Sequence, residues 1–294
     1  MADQAQPLRE IKDTVEEKLP APAGGGNKII AVTSGKGGVG KSNIAINLGI
    51  ALTRFGHRVL VVDADMGLAN IDLLLGIAPK HNLSHVISGA KTLEEIIITG
   101  PSGVRVAPAS SHGRMADGVD FDKRNAVIKA IRNSAEKADT ALIDTGGGLA
   151  DGIVEFLLLA DEILLVTTPE PTSMMDSYGA LRILAREREE TTVKLLVNMA
   201  QDQADAQHVS ETMKLITRQF FNLKIEDLGW VGYDPNVTKA VRRQQPFTLL
   251  YPSSRASRDI NRIAMKMAGY EVDFVTERGL AGQLKRLASR FKKG

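Results

Sequence analysis

The 294-residue chain has no cysteine. Disulfides, thiolate zinc sites, cysteine-held iron–sulfur clusters and cysteine nucleophiles are therefore excluded together, and a reducing, cytoplasmic setting is expected. No apolar run reaches the ~18 residues that a membrane-spanning helix needs. The opening Met-Ala-Asp-Gln-Ala-Gln has no basic stretch leading into an apolar one, so no secretory signal is expected. A large excess of one charge is also missing, with 37 basic residues against 35 acidic. Residues 280–294 hold five cations (Lys285, Arg286, Arg290, Lys292 and Lys293) and no acid, leaving residues 1–279 at −3. An acidic body with a basic tail does not fit a protein that coats nucleic acid, and no specific nucleic acid is expected as a partner.

What is present suits a soluble globular protein. Hydrophobic residues make up 43% and charged residues 24%. The chain is long enough to bury a large core unaided. Short apolar runs at Ile29–Thr33, Val59–Asp63, Val104–Pro108, Ala141–Asp144, Ile163–Thr167, Val193–Asn198 and Leu228–Gly232 alternate with amphipathic stretches. Such runs, apolar on both faces and separated by helical patterns, predict an α/β fold: a doubly wound, mostly parallel sheet with helices on both sides. The expected organisation is a polar N-terminal element at 1–19, a Pro/Gly linker at 20–27, one α/β domain at 28–275 and a basic tail at 276–294.

The first run leads into Ser34-Gly35-Lys36-Gly37-Gly38-Val39-Gly40-Lys41-Ser42-Asn43 and then a helical pattern over Ile44–Phe55. Strand, glycine loop and helix in this order, with GxxxxGK[ST] spacing from Gly35 to Ser42, make a phosphate cradle. Glycines let backbone N–H groups converge on phosphate oxygens, and the helix N-terminus adds partial positive charge. Lys41 reaches the terminal phosphates and the Ser42 hydroxyl can bind Mg²⁺. The alternative is a tight glycine turn before a helix. The second apolar run ends in Asp63-Ala64-Asp65, whose two carboxylates point the same way at the carboxyl end of a strand, where open α/β sheets bind ligands. The run at 141–144 ends in Asp144-Thr145-Gly146-Gly147-Gly148, an acid followed by glycines that permit movement.

The KGGVGKS segment, with its early Lys36, resembles the deviant Walker A motif of the MinD/ParA family of ATPases. The resemblance runs from Lys28 to about Phe247. It implies ATP and Mg²⁺ as cofactors and an ATP-bound homodimer in which Lys36 crosses to the partner's nucleotide, as an arginine finger does. It implies that Asp65 stands beside the attacking water, that Asp63 supports the site near Mg²⁺, and that Asp144 is the Walker B acid. It also implies that Asn198 reads adenine and that the loop with Pro235 packs on the base. Tyr233 departs from the more usual Ile-Pro pair there, and the glycines after Asp144 depart slightly from the family pattern. Thr167–Ser173 looks like a family loop at the dimer face.

Within the family, Asp65–Asp72 followed by Leu-Leu-Leu-Gly, together with Thr168–Ser173 and the Leu-Val-Asn-Met-Ala run, looks most like the FlhG (FleN, YlxH) branch, which governs flagellar number and placement. Asp3-Gln4-Ala5-Gln6-Pro7-Leu8-Arg9 resembles the element with which some members of that branch stimulate the GTPase FlhF. FlhF is thus an implied partner, with flagellar switch or C-ring proteins or a flagellar transcription regulator as further ones. In the tail, Leu280, Leu284, Leu287 and Phe291 fall at i, i+4, i+7 and i+11, one helical face, with Lys285, Arg286 and Arg290 on the others. Such a helix lies in the interface of an anionic membrane, so a peripheral, ATP-dependent membrane location at the cell pole or flagellar site is expected. The alternative is a helix packed on the body. The competing family readings are a MinD-type septum-site ATPase and a ParA-type DNA-partitioning ATPase.

Overall fold

The computed structural model describes residues 27–65, 70–109, 121–147, 151–187, 192–221 and 223–270. The N-terminal element with Asp3, Gln4, Ala5, Gln6, Leu8 and Arg9, and the tail with Leu280, Leu284, Lys285, Arg286, Leu287, Arg290 and Phe291, lie outside the described residues, as does Gly148.

Every apolar run in the sequence is a strand. They are β1 (Lys28–Thr33), β2 (Val59–Ala64), β4 (Arg105–Ala107), β5 (Thr140–Thr145), β6 (Glu162–Thr167), β7 (Thr192–Ala200) and β8 (Lys224–Gly232). An eighth strand, β3 (Ile98–Thr99), was not expected. Two residues are too few to leave a periodic signal, and β3 pairs antiparallel with β4 at the edge. The order is β3-β4-β2-β5-β1-β6-β7-β8, and all the other pairings are parallel.

Successive β1 residues alternate between two cores, as the two-residue period of a strand requires. Ile29 and Ala31 enter one, Ile30 and Val32 the other. The first core is closed by α5 (Phe121–Ala135), α6 (Asp151–Leu159), α7 (Pro171–Glu187) and α8 (Gln203–Phe220). The second is closed by α1 (Lys41–Arg54), α9 (Pro235–Arg242), α10 (Phe247–Leu250) and α11 (Arg255–Met267). Three short helices, α2 (Ile71–Leu75), α3 (Leu83–Ile87) and α4 (Leu93–Ile96), fill the β2–β3 connection. Gly229, at φ 134, lies where the β7–β8 register slips, a backbone conformation that other residues rarely adopt; a Cβ there would meet Ile263 of α11 at 3.5 Å, an ordinary contact. The sheet is therefore doubly wound, and its carboxyl edge gathers the ends of β1, β2, β5, β7 and β8.

Candidate nucleotide site

β1 passes through Ser34 into a loop that ends at Gly40, in the left-handed region at φ 91. Two constraints require glycine at 40: the positive φ, and the Asn198 amide, whose Nδ2 stands 2.5 Å from where a Cβ would be. α1 starts directly at Lys41, three residues before the apolar pattern begins, and no side chain caps it. Its first amide groups and the loop amides thus point at the space above the sheet, the arrangement that attracts an anion.

The charged groups converge there. Lys41 is 7% exposed and its Nζ donates to Ser34 Oγ at 3.0 Å. Burial lowers its pKa, opposed by the nearby charges of Asp144 and Asp65. The Ser34 hydroxyl in turn donates to the Lys36 carbonyl at 2.6 Å. Asp63 and Asp144 are direct partners across the β2–β5 pairing, so the sheet register itself sets two carboxylates side by side. Asp144 is fully buried, and among the described residues neither of its oxygens accepts a well-formed hydrogen bond. Burial and the charge of Asp63 push its pKa up to about 8, against the Ser42 hydroxyl and the Lys41 charge, which favour the ionised form. A buried acid with two open acceptors beside a serine hydroxyl fits a divalent cation held through water.

Asp63 is used differently. Its Oδ1 accepts from the Asp65 amide, and its Oδ2 accepts from the Asn70 and Ile71 amides, each at 3.1 Å. Both oxygens thus hold the loop leading to α2, and burial still raises the pKa to about 7. The resemblance places this residue near Mg²⁺; the geometry makes it the organiser of the loop that carries Asp65. Asp65 itself is half-buried, and a Cβ on Gly146 would lie 3.5 Å from its Oδ1, so the β2 and β5 loops meet here. Gly147 packs on the phosphate loop, its Cβ position lying 2.9 Å from the Gly37 Cα.

Lys36 points away from this cluster. Its Nζ contacts Glu170 Oε2 and Thr172 Oγ1, each at 3.0 Å. Asn198, buried at the end of β7, donates its Nδ2 to the Val39 carbonyl at 2.8 Å, so its donor braces the phosphate loop. Pro235 opens α9, which Asp234 caps by accepting from the Asn236 amide, while Tyr233 beside it is exposed. Gly35, Gly37, Gly38, Val39, Ser42 and Asn43 complete the loop and first turn of α1. Ser34 and Glu170 were not singled out from sequence as site residues. Ser34 directly precedes the glycine loop, and that position was the available signal; Glu170 carried none beyond its place in the Thr167–Ser173 run.

Residues 26–268 match the family model described as ParA, NUBPL iron-transfer P-loop NTPase. The antiactivator FleN of Pseudomonas aeruginosa is 37% identical, over 82% of this chain and 86% of that protein. The flagellum site-determining protein YlxH of Helicobacter pylori is 30% identical, over 90% of each. Among solved structures, MinD in the MinC:MinD cell division complex of Aquifex aeolicus superposes with a TM-score of 0.69 at 26% identity, covering 85% of this chain and 99% of that one. The chain has no cysteine thiolate with which to carry the iron that the family model's description names. With this cradle, this sheet and these relatives, the chain belongs to the MinD/ParA family of P-loop ATPases, on its FleN/YlxH branch.

Proposed function

We infer that this MinD-like ATPase uses ATP binding and hydrolysis as a switch that regulates flagellar number or placement. The observation that carries the reading is the convergence of Lys41, Ser42, Asp65 and Asp144 at one sheet edge, on a chain 37% identical to a flagellar antiactivator. Loop amides and Lys41 hold the triphosphate, with Lys41 exchanging Ser34 for phosphate oxygens. Mg²⁺, held by Ser42 and through water by Asp144, would neutralise charge on the phosphate oxygens. Asp65 orients a water whose oxygen bonds to the γ-phosphorus as the bond to the bridging oxygen breaks. The water's proton passes to the carboxylate and then to the released phosphate.

Three further parts of the reading rest on sequence pattern. Lys36 would complete the partner's site in an ATP-bound homodimer, which places this cation outside its own cluster. The amphipathic tail would hold the dimer at an anionic membrane, weakly for one helix and well for two. The 3–9 element would stimulate FlhF, with Gln4 or Gln6 ordering the attacking water in that GTPase. The protein would then be cytoplasmic and peripherally membrane-bound when ATP-loaded. Phosphate release, with and without anionic vesicles and FlhF, tests the whole. Asp65→Ala should abolish release while retaining ATP-driven dimerisation by light scattering. If Asp65→Ala hydrolyses at the parent rate, the assignment of the base is wrong.

A further inference from the structure

The nucleotide site has a direction across the sheet. Its acids stand on one side of β1, with Asp63 and Asp65 at the end of β2 and Asp144 in β5. On that side a Cβ on Gly147 would meet Gly37 and Lys41 at 2.9 and 3.4 Å. The other end of the phosphate loop, Gly40, meets β7 on the opposite side of β1, through Asn198 and Met199. A triphosphate with its terminal phosphate among the carboxylates therefore carries its base toward the carboxyl ends of β7 and β8. Met199 has an unusual backbone there. Asn198 pairs with Val231 and Ala200 with Gly232, so Met199 is the extra residue of a bulge. Leu195 and Val197 enter the first core, and strict alternation would send Met199 after them, but Ala200 takes that place. Met199 turns instead to φ 60, a left-handed conformation that long side chains seldom adopt, and its Cε lies 3.7 Å from where Gly40 would carry a Cβ. It stays 39% exposed. The adjacent strand end brings a second large apolar group. The Tyr233 amide donates to the Ala200 carbonyl at 2.9 Å, and Tyr233 is 54% exposed. Among the described residues, every other large apolar side chain this exposed belongs to a helix.

We propose that Met199 and Tyr233 form the base-binding surface of this site, the thioether and the phenol ring packing on the purine of the nucleotide whose phosphates the loop holds. This rests on the reading of the loop as a triphosphate cradle. Strained backbone persists where its surroundings over-determine it, and it gathers at ligand sites. A methionine that leaves the core alternation to lie exposed beside the phosphate loop gains no burial from folding. A base laid over it removes that apolar surface from water. The thioether is soft and polarisable, suited to an aromatic partner, and a tyrosine ring can stack while its hydroxyl stays hydrated. Asn198, between them and the loop, is buried and already donates to the Val39 carbonyl, whereas its two apolar neighbours are open. Stacking of a base on an aromatic side chain contributes roughly 5- to 150-fold in affinity.

The test uses the full chain with Mg²⁺ and compares two ligands by titration calorimetry: ATP, and inorganic tripolyphosphate, which offers the phosphates without a base. Tyr233→Ala, an exposed change that leaves the fold intact, should weaken ATP about fivefold or more and leave tripolyphosphate within about twofold. Tyr233→Phe keeps the ring and should bind ATP as the parent does. Met199→Gly accepts the positive φ without strain, so its urea midpoint should hold while ATP weakens about fivefold and tripolyphosphate does not. If the parent binds neither ligand, the reading of the cradle and this inference fall together. If the parent binds ATP and both Tyr233→Ala and Met199→Gly bind it equally well, the cradle stands and this inference is overturned. It is overturned too if ATP and tripolyphosphate weaken by one common factor, which would make the two residues supports of the phosphate loop. A loss in Tyr233→Phe as large as in Tyr233→Ala would assign the effect to the hydroxyl and overturn the stacking.

Discussion

Asn198 provides a sharp test of how the site is built, because two roles for it predict different nucleotide dependence. In one, its amide reads the adenine edge. In the other, its Nδ2 holds the phosphate loop through the Val39 carbonyl at 2.8 Å. Asn198→Ala removes a buried hydrogen bond, worth about 0.5–1.5 kcal/mol, and leaves a buried carbonyl short of a donor. The loop would then have to be ordered by the nucleotide at binding, so about 1–2 kcal/mol of affinity should be lost, roughly 5–30-fold. The assay is equilibrium binding of fluorescent ATP and GTP analogues to the parent and the variant. Bracing the loop acts on phosphates shared by both nucleotides, so the two affinities should fall by the same factor. A loss confined to ATP would refute the bracing argument and return the residue to base reading.

Asn47 is fully buried in α1, and its Oδ1 accepts from both the backbone amide and the hydroxyl of Thr248. Asn47→Ala strands both donors and should destabilise by about 2–4 kcal/mol, read as a shifted urea midpoint at unchanged slope. Glu170→Gln weakens the hold on Lys36, an exposed pair worth about 1 kcal/mol or less. Dimerisation, followed by light scattering, should then begin at up to about fivefold lower ATP; a higher requirement would show that Glu170 serves the dimer itself. Asp144, pushed up to about 8, keeps its proton in the folded protein across a range where the unfolded chain has lost it. Stability without metal or nucleotide should therefore fall as pH rises from about 4 through 8. Asp144→Asn should flatten that decline in urea melts, and a variant as pH-sensitive as the parent would show that this carboxyl does not titrate as argued.

The sheet was legible because strands buried on both faces read as uninterrupted apolar runs, as in Leu142–Ile143 and Leu164–Val166. β3 was not, since two residues at an edge bury little. The phosphate loop was legible because glycine, lysine and hydroxyl must keep fixed spacing to surround one anion. The duties of Asp63 and Asn198 were hidden for a different reason. Their partners, the Asn70 and Ile71 amides and the Val39 carbonyl, are backbone groups brought close by folding, and backbone groups leave no trace in a sequence. The hold of Glu170 on Lys36 spans 134 residues, and no local pattern encodes such a pair.

These hidden contacts link the nucleotide site to α7. A Cβ on Gly35 would stand 1.9 Å from the Asp176 carbonyl carbon, so the loop rests directly on the α7 backbone. Lys36 reaches Glu170 and Thr172, just before and within the first turn of that helix, and Ser173 and Ser177 both bond Thr167 at the end of β6. Close-packed backbones cannot slide past one another by small degrees, so a phosphate that reshapes the loop must either leave α7 in place or displace it as a unit. Turning Lys36 toward a partner's nucleotide would break both of its α7-side contacts at once, which favours displacement. The exposed surface of α7, where Met175 is 68% accessible, would then shift with the bound nucleotide. A switch built this way needs no long-range relay. The lysine proposed to complete the dimer would then be the one that releases the helix.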